Sequence, residues 1–218
     1  MSFFNLEKYR NAKLLTKSDF LIGSGLSIVM LILFVWGSSG MSLVATFVPG
    51  LIFAWYLFAF IYFNKIELPD YNIFLPVYFL TLGWQFVHFA EEFITNFKEL
   101  FPLMYGGLPY SENSFVIFNM FSYLMFIVSP VLVYFRGLKF LFIPALFFIV
   151  YGAMGNAIAH SWWSIYFGQY FSGLYTSLVY WILGTVLVTI VFRSKQRSFT
   201  YILAFTGVLI ATLTLLMK

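Results

Sequence analysis

The chain has 218 residues, of which 62% are hydrophobic and only 9% charged. Soluble domains carry about 25% charged residues, so this composition excludes an ordinary soluble globule and points to an integral membrane protein. The absence of cysteine excludes disulfides, thiolate metal ligands and a cysteine nucleophile. The net charge of +4 needs no nucleic-acid partner, because basic residues gather at the cytoplasmic ends of membrane helices.

A helix needs about 20 apolar residues to cross the hydrocarbon core. Seven stretches meet that length: Phe20–Trp36, Leu43–Phe63, Phe74–Asn96, Phe115–Phe135, Leu138–His160, Phe171–Phe192 and Phe199–Met217. The fold class expected is therefore all-α and polytopic, a single seven-helix transmembrane domain over 20–218. Residues 1–19 form a cytoplasmic amphipathic segment that precedes it. Ser18-Asp19 read as the N-cap of the first span. The apolar run that follows is long and has no small-residue cleavage pattern, so it reads as an uncleaved span rather than a signal peptide. Pro49 and Pro130 should kink their helices.

With the N-terminus placed inside, the inner segments hold ten Lys/Arg (Lys8, Arg10, Lys13, Lys17, Lys65, Arg136, Lys139, Arg193, Lys195, Arg197). The outer segments hold two, Lys98 and Lys218. That bias places the N-terminus in the cytoplasm and the C-terminus outside, in a cell membrane of the cytoplasmic type. The longest connection, Phe97 to Ser114, is outer and too apolar for an exposed loop, so it is expected to fold back over the bundle as a lid. Ser161 to Tyr170 is read as a second outer connection, with Trp162-Trp163 as interfacial anchors.

The third span carries the chemistry. At 100° per residue, Thr81, Gln85, His88, Glu91, Glu92, Thr95 and Asn96 fall within about 70° of one line. Phe79, Leu82, Phe86, Phe89, Phe93 and Phe97 occupy the other side, which reads as a lipid face. Ionisable groups inside a span are costly, and they mark functional sites facing a protein interior. The only other histidine, His160, closes the fifth span at the same outer side. Asn156 lies one turn before it, and Gly152, Ala153, Gly155, Ala157 and Ala159 would let that span approach closely.

His88-Phe89-Ala90-Glu91-Glu92 is an H-x-x-E-E motif, followed later by His160 and by Tyr170-Phe171-Ser172-Gly173. This pattern resembles the family of integral membrane proteins named for its H-x-x-E-E motif, described with a further histidine and a Y-x-P-G motif. The resemblance covers the third to the sixth span and implies a site at His88, Glu91, Glu92, His160, Tyr170 and Gly173. Ser172 replaces the proline of that pattern, so the rigid turn is not carried over. The family's function is uncharacterised, so the resemblance implies a site and no activity.

Four functional readings follow. In the first, His88, Glu91, Glu92 and His160 bind a divalent metal (Zn, Fe or Mn), with Gln85, Asn156 and Tyr170 as supporting residues. The metal would serve a hydrolase or isomerase of a lipid-like substrate arriving from the outer leaflet. In the second, the same residues perform metal-free acid/base chemistry. The third is a transporter or proton relay. The fourth is an accessory membrane subunit whose His/Glu cluster only ties helices together. A metal accounts best for two adjacent carboxylates, which otherwise repel one another. Two seven-helix alternatives are set aside: the last span has no lysine for retinal, and the adiponectin-receptor and ceramidase superfamily uses three histidines toward the cytoplasm.

Overall fold

The computed structural model describes residues 13–218, and all regular structure among them is helical. The expected N-terminal amphipathic segment, 1–19, lies for the most part outside the described residues. Seven helices are long and apolar enough to cross a membrane: Lys17–Trp36, Ser42–Phe63, Tyr71–Ile94, Glu112–Arg136, Lys139–Phe167, Leu174–Phe192 and Lys195–Leu215. They are called the first to seventh spans below. Five begin and end within a few residues of the expected bounds, and each runs on through any internal proline, Pro49 and Pro130 included.

The first span is capped differently from the expectation. Thr16, in extended backbone, accepts from the Asp19 N–H, and the Asp19 carboxylate takes the Thr16 N–H in return. Asp19 is thus the acidic partner of a capping box, which requires a cap residue three positions earlier.

The fifth span is the axis of the bundle. Its most apolar window is 89% buried, against 22–56% for the other six spans. Small residues let neighbours approach it on every side, and in a membrane such close van der Waals packing holds helices together. Between Phe148 and Gly155 it winds as a π-helix, which resets the angular register of everything after it. It also runs seven residues past His160. Ser161 to Phe167 is helix rather than connection, and the chain turns at Gly168 in the left-handed region. Trp163 is accordingly a buried core residue, not an interfacial anchor.

Lys65, Arg136, Lys139, Arg193, Lys195 and Arg197 all sit at helix ends on one side of the bundle, and the C-terminal ends of the third and fifth spans lie on the other. On that second side the segment after the third span does fold back. Phe97–Leu103 forms a short helix whose Phe97 and Phe101 are buried, as is Tyr105 after it. This cap is fastened to the turn between the first two spans. Ser39 Oγ bonds both the N–H and the C=O of Leu108, Met41 N–H donates to the Tyr105 carbonyl, and Tyr110 Oη bonds Ser42 Oγ at 2.8 Å. Gly40 and Gly107 cross so closely that a Cβ on either would run into the other's backbone.

Candidate metal centre

On the third span the buried stripe is Tyr78, Thr81, Leu82, Gln85, His88 and Glu92. The outward face is Leu80, Gly83, Phe86, Val87, Ala90 and Ile94. Leu82 and Phe97 are therefore buried rather than lipid-facing. Phe89 stacks on Phe115 of the fourth span, so it too packs against protein. Asn96, expected on the polar stripe, is exposed and turns the chain into the cap helix with φ of 61°.

Glu92 Oε1 lies 3.4 Å from His88 Nε2 and 3.3 Å from His160 Nε2. The three atoms sit within 4.8 Å of one another, on side chains that are 0–7% exposed. The far nitrogen of each ring reveals its tautomer. His160 Nδ1 is 2.6 Å from the Ser172 carbonyl, which can only accept, so that nitrogen carries the proton. His88 Nδ1 is 2.7 Å from Thr176 Oγ1, whose own hydroxyl donates to Glu91. The threonine oxygen therefore accepts from His88. Each ring turns its Nε2 toward the same carboxylate oxygen, and in a neutral ring of this tautomer that nitrogen offers a lone pair. His88 Nε2 is buried and has no hydrogen-bond partner.

Three electron-pair donors facing one another in a buried pocket are unfavourable unless a cation joins them. Two of the three separations, 3.4 and 3.3 Å, match one, whereas the two imidazole nitrogens stand farther apart, within 4.8 Å. Ligand atoms around a tetrahedral ion with bonds of about 2.0–2.1 Å stand about 3.3–3.4 Å apart. The Ser172 carbonyl and Thr176 hydroxyl are the kind of outer partners that fix a ligating histidine.

Glu91, expected as a fourth ligand, lies outside this group. Its carboxylate accepts from Tyr170 Oη at 2.7 Å, Tyr175 N–H at 3.1 Å, Thr176 N–H at 2.8 Å and the Thr176 hydroxyl. It caps the start of the sixth span, where Gly173 offers no side chain of its own. A carboxylate at a helix N-terminus is favoured by the exposed N–H groups and the helix dipole. Its link to the metal centre is indirect, through Thr176 to His88. Tyr170, expected as a supporting residue of the metal ligands, instead bonds Glu91, and partial burial beside that carboxylate raises its hydroxyl above the ordinary tyrosine value.

Gln85 and Asn156 do not orient the ligands as expected. Gln85 accepts from Tyr180 Oη at 2.7 Å and donates to Tyr123 Oη at 3.1 Å, and the Tyr180 ring stands edge-on to His88. Asn156 donates to the Gly152 carbonyl within the π-helical turn. Both instead line a cavity of about 380 Å³, together with Glu92. Sequence reasoning missed Thr176, which carries no motif signal. It also missed the way the cap reaches the centre: Phe97 packs on His160 with ring centroids 5.2 Å apart. Gly173 is implied only by the resemblance to the Y-x-P-G motif, and the structure gives a glycine there a physical reason. With φ of 87°, a Cβ there would stand 2.5 Å from His160 Cε1 and 3.1 Å from His88 Cε1.

Ser172 holds the turn without proline, through a 2.5 Å bond between its hydroxyl and that of Thr95. Comparison with known protein families, curated proteins and solved structures finds no match for this chain.

Proposed function

We propose that this chain is a multi-pass protein of a cytoplasmic-type cell membrane, with its Lys/Arg-rich end inside, in which His88, Glu92 and His160 hold a divalent metal for an enzyme acting on a lipid-like or amphipathic substrate. The observation that carries this is the convergence of two imidazole Nε2 atoms and one carboxylate oxygen within 4.8 Å in a buried group, with His88 Nε2 left without a hydrogen-bond partner. Two histidines and one glutamate form the donor set of hydrolytic zinc sites, and two histidines with a carboxylate also suit Fe(II). When bound, such an ion polarises an ester or amide carbonyl and lowers the pKa of a bound water. The chain's own residues do the rest. Thr176 and Ser172 hold the two imidazoles in one tautomer, the cap excludes bulk water, and Glu92 brings the centre to the cavity wall.

The same three atoms could instead share a proton and serve acid/base chemistry. Charge-assisted bonds of that kind are about 2.7–2.9 Å long, so separations of 3.3 and 3.4 Å favour an ion between the atoms. Transport is disfavoured by the floor of the cavity, where Phe126 and Phe147 close it and fully buried Phe142 and Phe148 lie nearby. Kinship with the H-x-x-E-E family belongs to the same proposal. It is supported by the way His88, Glu91, Glu92, His160, Tyr170 and Gly173 cluster in space.

Elemental analysis of the purified protein tests the reading. Wild type should hold close to one metal per chain, and His88→Ala, Glu92→Gln and His160→Ala should lose it. If wild type stays metal-free even after supplementation with zinc, iron and manganese, the proposal fails.

A further inference from the structure

The cavity beside Glu92 has a direction. Along the fourth span its wall runs from Ser114 to Phe126, twelve residues or about 18 Å. Near the site end Glu92, Ser114 and Asn119 stand among phenylalanines, and Gln85, Ser122 and Asn156 add polar groups farther along. Glu92 itself lies two residues, or about 3 Å, from the end of the third span. The far end is Phe126 and Phe147. The top is closed by the cap, and the cap is bolted rather than hinged. Its backbone is tied to the Ser39–Met41 turn, and Lys218 N–H donates to the Met104 carbonyl at 2.9 Å. Lifting it would break these bonds together. The exposed residues of the lining are Trp36, Gly37 and Ser114, at the ends of the first and fourth spans, and they mark a mouth at the side of the bundle.

Resting on the reading of the centre and orientation given above, we infer that this cavity is a slot that admits a single-chain amphiphile sideways from the outer leaflet, between the first and fourth spans. An outer-leaflet amphiphile already has its head at the surface and its chain pointing toward the midplane. The slot has the same polarity and the same direction, so the molecule enters without turning over. Its polar junction then stops beside Glu92 while the chain lies against Phe118, Phe126 and Phe147. Trp36, 84% exposed, sits where indole rings favour the headgroup level. A volume of about 380 Å³ is at the low end of small-molecule sites, which suits one chain and excludes a whole two-chain phospholipid. The rings of Phe47 and Phe118, with centroids 5.7 Å apart, meet across the slot and must part to admit the chain.

The probe is a diazirine-bearing hexadecanol, photolysed with the full-length protein in nanodiscs and mapped by peptide mass spectrometry. Label is expected on slot residues of the fourth and fifth spans, and Ser122→Trp, which fills the slot, should reduce it about tenfold or more. Ser122→Leu should act in the same direction, and retained metal content shows that each variant is folded. Because the chain has no cysteine, Ser39→Cys with Leu108→Cys can be oxidised to lock the cap, and this should leave slot labelling unchanged. The inference is overturned if locking the cap abolishes slot labelling. It is equally overturned if label falls only on outward residues such as Leu80 and Phe121, or if Ser122→Trp has no effect. Metal content, measured on the same samples, separates the two claims: metal without slot labelling sinks the slot alone, and slot labelling without metal sinks the centre alone.

Discussion

Glu91 and Glu92 are neighbours in the chain and about 100° apart on the helix, and they meet opposite kinds of partner. The Glu91 face turns toward the start of the sixth span and receives four donors, two N–H and two O–H. The Glu92 face turns toward the fifth span and meets the Nε2 atoms of two imidazoles. One carboxylate is satisfied by hydrogen-bond donors of the protein, whereas the other belongs to the buried His88–Glu92–His160 group that could hold a metal. The difference teaches that a doubled carboxylate in a membrane span need not be a doubled ligand. One glutamate forms the centre, and its neighbour builds the wall that aims His88.

This contrast can be broken most sharply at Glu92. Glu92→Gln should reduce metal affinity by more than the roughly 10–100-fold typical of outer-shell changes, read by elemental analysis after dialysis. If Glu91→Gln removes metal to the same extent, the two carboxylates are not distinct. Gly173→Ala should come next. Its Cβ would strike both imidazoles at a positive φ, so about a hundredfold loss of metal affinity is expected, with about 1–3 kcal/mol of overpacking in the unfolding midpoint.

Glu91→Gln should act mainly on stability. An amide cannot accept from all four donors, and each bond lost to a charged acceptor costs about 1.5–3 kcal/mol. Metal binding should weaken by only about 10–100-fold, through Thr176. Thr176→Val keeps the shape and removes the acceptor of His88 Nδ1–H. Metal affinity should fall about tenfold with about 1–3 kcal/mol of stability lost, because His88 Nδ1–H is left buried without an acceptor and Glu91 loses a donor, and nitrogen NMR of the imidazole should report a disturbed tautomer. Tyr170 is 39% exposed, so water can replace the donor that Tyr170→Phe takes from Glu91, and stability should shift by less than about 1 kcal/mol with metal content unchanged.

Much of the fold is legible in local pattern. Seven apolar runs of spanning length, the polar stripe on the third span and the approach of His160 need only periodicity and counting. The limits of that legibility fall at particular residues. Helix continued through Ser161–Phe167 because Ser, Trp and Tyr end an apolar run without ending a helix, and only Gly168 does so. Leu82 and Phe89 look like lipid contacts on a wheel because the wheel cannot say how many neighbours a helix has. The third span is covered by the fourth, fifth and sixth, so its hidden arc is wider than its polar stripe.

The sequence by itself determined that a histidine and two carboxylates lie in one membrane-length helix, because side-chain type and helical period are local properties. Only the tertiary structure decided which carboxylate meets the histidines. That choice depends on the π-helical turn at Phe148–Gly155, which sets the rotation of His160, and on the Gly168–Gly173 connection, which carries the Ser172 carbonyl and Thr176 to the two rings. Neither leaves a period in the sequence, because both place partners by the geometry of a turn rather than by spacing along a helix.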